Sequence, residues 1–324
     1  MKLFHCSFII IFNLKINLHN QLVSLILRIL VGLVFVASAI LKYMSIDIFD
    51  LYVYEHGLFS IPVTETLTRL LIIAEFVLGV MLVVGIQIRL AYYACICFLA
   101  GFTIYLFLLP YLFHVDISNC HCFGEAIVFN RTQSIVKNIV LLACLFFVSP
   151  KFYTARKWKK WGFLVLSIVS FFVFMIINAP NYLYTMVHKN KIQINVPMYE
   201  SALENSGEKA NFTEGKQIIC LYSTGCRYCK RSAKKLDLIL NNNHLPEDHV
   251  KAIFWAGTPD TTIANFFTNQ DISVLEYTTF RVDTFLAVTD GRMPVILFSD
   301  HGEIVKKVDY LSLKDKDVIN FLTP

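Results

Sequence analysis

Charge is what this sequence has least of: Asp, Glu, Lys and Arg make up 16% of its 324 residues, against about 25% in an ordinary soluble domain. With 56% hydrophobic residues and a mean hydropathy of +0.57, that shortage excludes a water-soluble globule of this length. A basic motif for DNA or RNA is also missing. The net charge is only +5, and most of the excess borders apolar runs, where anionic lipid headgroups attract it. Membrane lipid is therefore an expected partner and nucleic acid is not. Charge is scarce inside the apolar runs too, which disfavours a small-molecule or metal transporter.

The apolar residues are unevenly spread. Before about Asn190 they form long runs; after it they form short blocks bounded by Lys, Asp, Asn and Gly. A bilayer core takes roughly 20 apolar residues in a helix, and five segments are read as spans: Leu22–Leu41, Leu67–Ile86, Ala91–Phe113, Ser134–Val148 and Gly162–Ile177. The fourth is the shortest. Leu3–Phe12 is too short to span and reads as an interfacial segment, an incomplete signal sequence or a misplaced start. The expected fold class is a membrane all-α helical bundle of about five transmembrane helices followed by a soluble α/β domain. Its parts are an N-terminal extension (1–21), a four-helix membrane domain (22–150), a basic loop with the fifth helix (151–180), a linker (181–214) and the soluble domain (215–324).

Lys and Arg in short loops stay in the cytoplasm. Lys151, Arg156, Lys157, Lys159 and Lys160 form the densest cluster, and Arg89, Lys2, Lys15 and Arg28 agree with the same orientation. The expected location is a bacterial inner (cytoplasmic) membrane, crossed several times. The loops 56–66 and 114–131, and everything after Pro180, then face the periplasm.

In the soluble part, Ile218–Tyr222 reads as a buried strand running through Ser223-Thr-Gly225 into Cys226-Arg-Tyr-Cys229. Lys230–Leu240 follows as an amphipathic helix, with Leu236, Ile239 and Leu240 opposite Lys230, Arg231, Lys234 and Lys235. Further strands are expected at Val250–Trp255, Thr279–Val282, Val295–Phe298 and Glu303–Val308, with helices at Thr261–Phe267 and Leu313–Leu322. Residues 181–214 are polar and read as an irregular stalk. The order β-α-β-α-β-β-α, the Cys-x-x-Cys pair at a strand-to-helix junction and Met293-Pro294 before a strand resemble thioredoxin-like disulfide oxidoreductases. The resemblance implies a cis-proline at Pro294 facing the cysteine pair.

Thiol exchange needs a thiolate, and a cysteine at a helix N-terminus meets partial positive charge that lowers its pKa. Cys226 has that place, with Arg227 and Lys230 adding charge, and is the expected attacking sulfur. Cys229, one turn on, is the expected resolving sulfur. A zinc half-site, a structural disulfide and unrelated thiols are the alternatives. Zinc would need two further ligands, and His244 and His249 do not repeat a knuckle spacing.

A second pair, Cys120-His-Cys122-Phe-Gly124, sits in a polar island between two apolar runs. One intervening residue permits only a strained ring, which is easily reduced, so a transient redox role is expected. Metal binding with His114, His121 and the nearby Glu125 is the alternative reading, as is a simple loop staple. Cys-x-Cys-Phe-Gly before a span, with a first span of the form Arg28-Ile-Leu-Val-Gly32…Phe35…Ser38…Lys42, resembles the DoxX-like and MauE family over Leu22–Val148. That resemblance implies maturation of a disulfide-containing periplasmic protein, alongside thioredoxin-like partners.

Glu75, inside the second run, reads as bundle-facing, serving a proton path or quinone headgroup or pairing with Arg69. Lys42 reads as snorkelling. Cys95, Cys97, Cys144 and Cys220 read as core thiols, and Cys6 is unassigned. The expected function is a thiol-disulfide relay between Cys226/Cys229 and a membrane-surface Cys120/Cys122 pair, with a periplasmic thiol or disulfide protein as client. No metal is expected. A membrane quinone is the candidate cofactor, by analogy with other disulfide-forming helix bundles. The rival readings are a chaperone-like assembly factor and a metal-binding protein without redox turnover.

Overall fold

The computed structural model describes residues 2–112, 120–125, 127–148, 158–187, 192–207 and 209–323. They fall into two compact units, Met1–Phe49 with Leu67–Asn178, and Asp50–Thr66 with Ala179–Pro324.

The helices of the N-terminal region are α1 (Lys2–Met44), α2 (Ile46–Tyr54), α3 (Ile61–Val84), α4 (Ile88–Leu112), α5 (Arg131–Phe146) and α6 (Trp158–Ile177). In hydrocarbon every backbone N–H and C=O must be paired within the protein, so the long apolar runs become helices. Their exposure is inverted relative to a soluble protein. Leu30, Leu33 and Ile40 of α1 and Leu67 and Leu70 of α3 lie exposed, while Ser38, Lys42, Glu75, Ser134 and Asn138 are buried. Such an apolar exterior suits lipid and not water. α1 and α3 approach through glycine: a Cβ on Gly79 would come within 2.8 Å of the Gly32 carbonyl oxygen and the Val36 nitrogen. Small residues permit this contact between membrane helices.

The span count differs from expectation. Among the described residues, Gln21–Met44, Ile61–Val84 and Ile88–Tyr111 are long and apolar enough to cross a bilayer. A bent pair, Trp161–Ile177 with Asn181–Val187, makes a fourth if it counts as one span. The expected span at Ser134–Val148 falls on α5, which has 16 residues, a rise of about 24 Å against a core of about 30 Å. Its early turns carry Arg131, Gln133, Lys137 and Asn138. Leu3–Phe12 is not a separate segment, because α1 runs without a break from Lys2. Lys151, Arg156, Lys157 and His114 lie outside the described residues.

The second unit adds α7 (Asn181–Val187), α8 (Val196–Ser206), α9 (Lys209–Thr213), β1 (Lys216–Leu221), α10 (Arg227–Asn242), β2 (Val250–Trp255), α11 (Asp260–Thr268), β3 (Glu276–Phe280), α12 (Val282–Thr289), β4 (Val295–Asp300), β5 (Glu303–Val308) and α13 (Asp315–Leu322). The five strands form one mixed sheet in the order β3-β2-β1-β4-β5. β1 pairs parallel with β2, β2 parallel with β3, and β4 antiparallel with both β1 and β5. Alternation along β1 sends Ile218 and Cys220 to the face covered by Leu236, Ile239 and Val318, and Ile219 and Leu221 to the face covered by Leu203, Phe212 and Phe285. Asp50–Thr66 belongs to this unit: Tyr54 and Ile61 join its core, and Asn242 Nδ2 donates to the Tyr54 carbonyl at 2.8 Å.

Two expectations are corrected here. Residues 181–214 are no irregular stalk, since Tyr199, Ala202 and Leu203 form the apolar face of α8 and bury against the sheet. The strand expected at Thr279–Val282 lies earlier, at β3, and α12 follows it, with Phe285 and Val288 one turn apart and buried.

Candidate functional site: two cysteine pairs

β1 delivers the chain to Cys226, which caps the N-terminus of α10 with backbone φ −82° and ψ 117°. Its sulfur accepts the Cys229 backbone N–H at 3.2 Å. The Cys226 thiol is pulled down to about 6, first by a hydrogen bond from the Cys229 side chain and then by the Cys229 and Tyr228 backbone N–H groups, with burial opposing. Cys229 is moved strongly upward, mainly by burial. The two sulfurs are not joined: Cys226 is half-buried and Cys229 fully buried. One sulfur is thus acidic and reachable while the other is protonated and held in reserve.

Pro294 follows a cis Met293–Pro294 bond and precedes β4. Because Leu221 pairs with Val295, Pro294 lies at the sheet end from which the chain leaves for Cys226. α10 departs from its expected pattern, for Arg231 and Lys235 are buried rather than solvated. Lys235 Nζ donates to the Tyr310 carbonyl at 3.1 Å, and the Arg231 guanidinium lies 5.7 Å from the centre of the Tyr228 ring. Cys220 is buried in β1, and burial pushes its thiol up to about 12, as suits a core residue. Cys95 is buried as well, Cys144 is partly so, and Cys97 is exposed on its helix.

In the first unit Cys120 and Cys122 form a disulfide. Their loop is closed by Cys120 N–H to the Phe129 carbonyl at 2.9 Å and Gly124 N–H to the His121 carbonyl at 3.1 Å. Gly124 has φ +62°, and a Cβ there would meet the Leu41 carbonyl oxygen at 2.5 Å, so only glycine seats this loop against α1. α5 begins beside it, with Asn130 and Gln133 forming a reciprocal capping box. Ser134 Oγ lies 2.6 Å from Cys120 Sγ. Both cysteines are buried within the protein, at 0% and 2% exposure.

A polar chain leads away from it. Ser38 Oγ donates to the Cys122 carbonyl at 2.8 Å, Lys42 Nζ donates to Ser38 Oγ at 3.1 Å, and Lys42 Nζ contacts Glu75 Oε2 at 2.6 Å. Glu75 does face the bundle, but its partner is Lys42 and not Arg69. Lys42 does not snorkel; it is 5% exposed. Sequence reasoning treated the two charges separately. The available signal was that Lys42 stands one turn from Ser38 on the same face of its span while Glu75 stands mid-run in the next. Neither His121 nor Glu125 joins the cysteines in a metal-ligand cluster: among the described residues no group of three His, Cys, Asp or Glu side chains is arranged to hold an ion.

The family described as methylamine utilisation protein MauE matches residues 20–149. This stretch is a MauE-family domain. It contains α3, α4, α5 and most of α1, and with them the Cys120–Cys122 loop, Ser38, Lys42 and Glu75. Cys226 and Cys229 lie outside it. Protein TlpB of Flavobacterium psychrophilum is 27% identical over 279 aligned positions, covering 68% of this chain and 74% of the relative. No solved structure matches the chain at a significant level. The MauE domain therefore accounts for one cysteine pair, and the sheet domain supplies the other.

Proposed function

We propose that this chain is a membrane-bound thiol-disulfide oxidoreductase that relays electrons between a periplasmic, thioredoxin-like Cys226/Cys229 site and the Cys120/Cys122 pair of its MauE domain. The observation that carries the reading is Cys226 itself, a half-buried sulfur capping a helix, drawn toward its thiolate by Cys229. The strand order, the cysteine pair after β1 and the cis-proline before β4 support a thioredoxin-like domain.

The Cys226 thiolate attacks one sulfur of a client disulfide, forming a mixed disulfide and releasing the other sulfur as a thiolate. Cys229 then loses its proton and attacks Cys226, which closes Cys226–Cys229 and frees the reduced client. The same steps reversed oxidise a client. After client reduction a Cys120/Cys122 dithiol gives two electrons to the Cys226–Cys229 disulfide and itself closes to a disulfide. After client oxidation the Cys120–Cys122 disulfide takes two electrons from the Cys226/Cys229 dithiol. Because that pair is buried, its loop must open for the exchange.

Sidedness supports a meeting of the two pairs. Asp50–Thr66 and the sheet domain form one compact unit and so share a side of the membrane. With α3 and α4 read as two crossings the chain returns to that side, so in this reading the Cys120–Cys122 loop faces it too. In this reading α5 is too short to cross and the bent pair α6–α7 is re-entrant, so the chain stays on that side. A cytoplasmic N-terminus makes this side periplasmic.

Trapping tests the relay. A Cys229→Ser variant should accumulate mixed disulfides through Cys226, and mass spectrometry should find Cys120 or Cys122 among the partners. Normal client maturation by a Cys226→Ser variant would sink the redox reading and leave a holding factor in its place.

A further inference from the structure

One hydroxyl stands against both sulfurs of the buried Cys120–Cys122 pair. Ser134 Oγ, from the start of α5, lies 2.6 Å from Cys120 Sγ and 3.6 Å from Cys122 Sγ. The Ser134 backbone N–H donates to the Asn130 carbonyl at 3.1 Å, and the capping box at Asn130 fixes the same turn, so the helix holds the hydroxyl in place. Neither sulfur of a disulfide carries a hydrogen, so among these three atoms only the hydroxyl can donate. The nearer acceptor is Cys120.

Charge beside the pair is unbalanced. A small cavity with Cys122 in its wall, with room for about a water or two, has Lys42, Glu75 and Lys137 as its charged lining. Lys42 and Glu75 form the ion pair described above, and Lys42 reaches the cysteines through Ser38 and the Cys122 carbonyl. Lys137 stands one turn beyond Ser134 on the same side of α5. Its Nζ lies 4.9 Å from the centre of the ring of Phe123, the residue after Cys122. Two cations thus face one acid in this lining. Phe35, Phe98, Leu99 and Phe102 complete much of the wall, and in such apolar surroundings an excess charge is costly, so one further anion would restore balance.

We propose that Ser134 and Lys137 are positioning residues that hold a single thiolate on Cys120 when the pair is reduced, which makes Cys120 the leaving sulfur and Cys122 the sulfur that bonds to a partner. A dithiol donor attacks Cys122 Sγ as its thiolate. The Cys120–Cys122 bond breaks and its electron pair leaves on Cys120 Sγ. The donor's second thiol then gives up its proton and attacks the donor sulfur held by Cys122, closing the donor to a disulfide, and the displaced Cys122 sulfur takes that proton. The reduced pair therefore carries one thiolate and one thiol. The Ser134 hydroxyl donates to the Cys120 thiolate and accepts from the Cys122 thiol, while the Lys137 charge is matched. Stabilising the reduced form in this way makes the disulfide more oxidising. The inference rests on the redox reading of the Cys120/Cys122 pair, but not on exchange between that pair and Cys226.

The test uses the full chain in lipid nanodiscs with Cys226 and Cys229 both changed to Ser, equilibrated against buffers of reduced and oxidised dithiothreitol. The reduced fraction of Cys120 and Cys122 is followed by maleimide gel shift. Ser134→Ala should shift the equilibrium about tenfold toward the disulfide, the equivalent of one hydrogen bond to a charged group and of a potential about 30 mV lower. Lys137→Met should shift it the same way, and Lys137→Arg should restore most of the parent value. Glu75→Gln leaves the cations in greater excess and should shift the equilibrium toward the dithiol. A loosened fold would not move Lys137→Met and Glu75→Gln in opposite directions. At neutral pH the reduced Cys122→Ser variant should keep the ultraviolet absorbance of one thiolate that Cys120→Ser lacks. Equal potentials in parent and Ser134→Ala would overturn the proposal, as would shifts of one sign in Lys137→Met and Glu75→Gln, or a thiolate kept in Cys120→Ser and lost in Cys122→Ser. In each of these cases a reducible pair leaves the redox reading intact. A parent pair that no thiol buffer reduces would end that reading, and this inference with it.

Discussion

Cys226 and Cys229 are three residues apart on one helical turn, yet their thiols move in opposite directions, because one caps the helix and the other lies beneath it. The alkylation rate of the reduced protein by iodoacetamide should therefore titrate with a midpoint near pH 6 at Cys226, while Cys229 stays unmodified until the chain unfolds. Cys229→Ala removes the foremost cause of the shift and should move that midpoint upward. A midpoint unchanged by Cys229→Ala would show that helix and backbone alone acidify Cys226. The sign for stability follows from the lowered value. The Cys226 thiolate stabilises the reduced fold in full above the ordinary thiol value of 9, and that contribution is lost as pH falls through about 6. The helix-capping place of Cys226 was readable from the strand-then-CxxC pattern. The inward turn of Cys229 was not, because it depends on what Ala233 and Leu236 pack against.

Among the elements, α1 and α3 carry the polar interior of the bundle. Their approach at Gly32 and Gly79 lets the two helices run close together, and Lys42 and Glu75 meet nearer the C-terminal end of α1. Breaking a buried ion pair from one side leaves an unmatched charge, at a cost of about 3–5 kcal/mol. Lys42→Met and Glu75→Leu should each destabilise the purified protein by that order in thermal unfolding, while the double variant should recover most of the loss. Additive losses would mean that the two charges have other partners. Hydropathy alone located α1, α3 and α4, since nothing but a helix satisfies backbone groups in lipid. It overestimated the fourth span, because the apolar run continues past the point where α5 ends. It also missed α8 and α12, short helices whose apolar faces become apparent only against a sheet.

For the whole molecule, sidedness is the property on which function turns. In intact cells of a strain expressing the full chain, a membrane-impermeant maleimide should label Cys226, whereas a cysteine placed at Gln87, in the tight turn between α3 and α4, should label only after permeabilisation. The reverse pattern would put the sheet domain in the cytoplasm, where thiols are kept reduced, and would end the proposed function. What the sequence by itself determined was chemistry and solvent: long apolar runs require lipid, and thiol exchange at a cysteine pair on a strand-to-helix junction requires a thiolate. Only the tertiary structure decided that Cys120 and Cys122 are buried, that Lys42 answers Glu75 across two helices, and that Asn138 on α5 bonds to Thr103 on α4. Those facts depend on distances between residues 30 to 100 positions apart, which periodicity cannot encode because each helix reads the same whichever neighbour it meets.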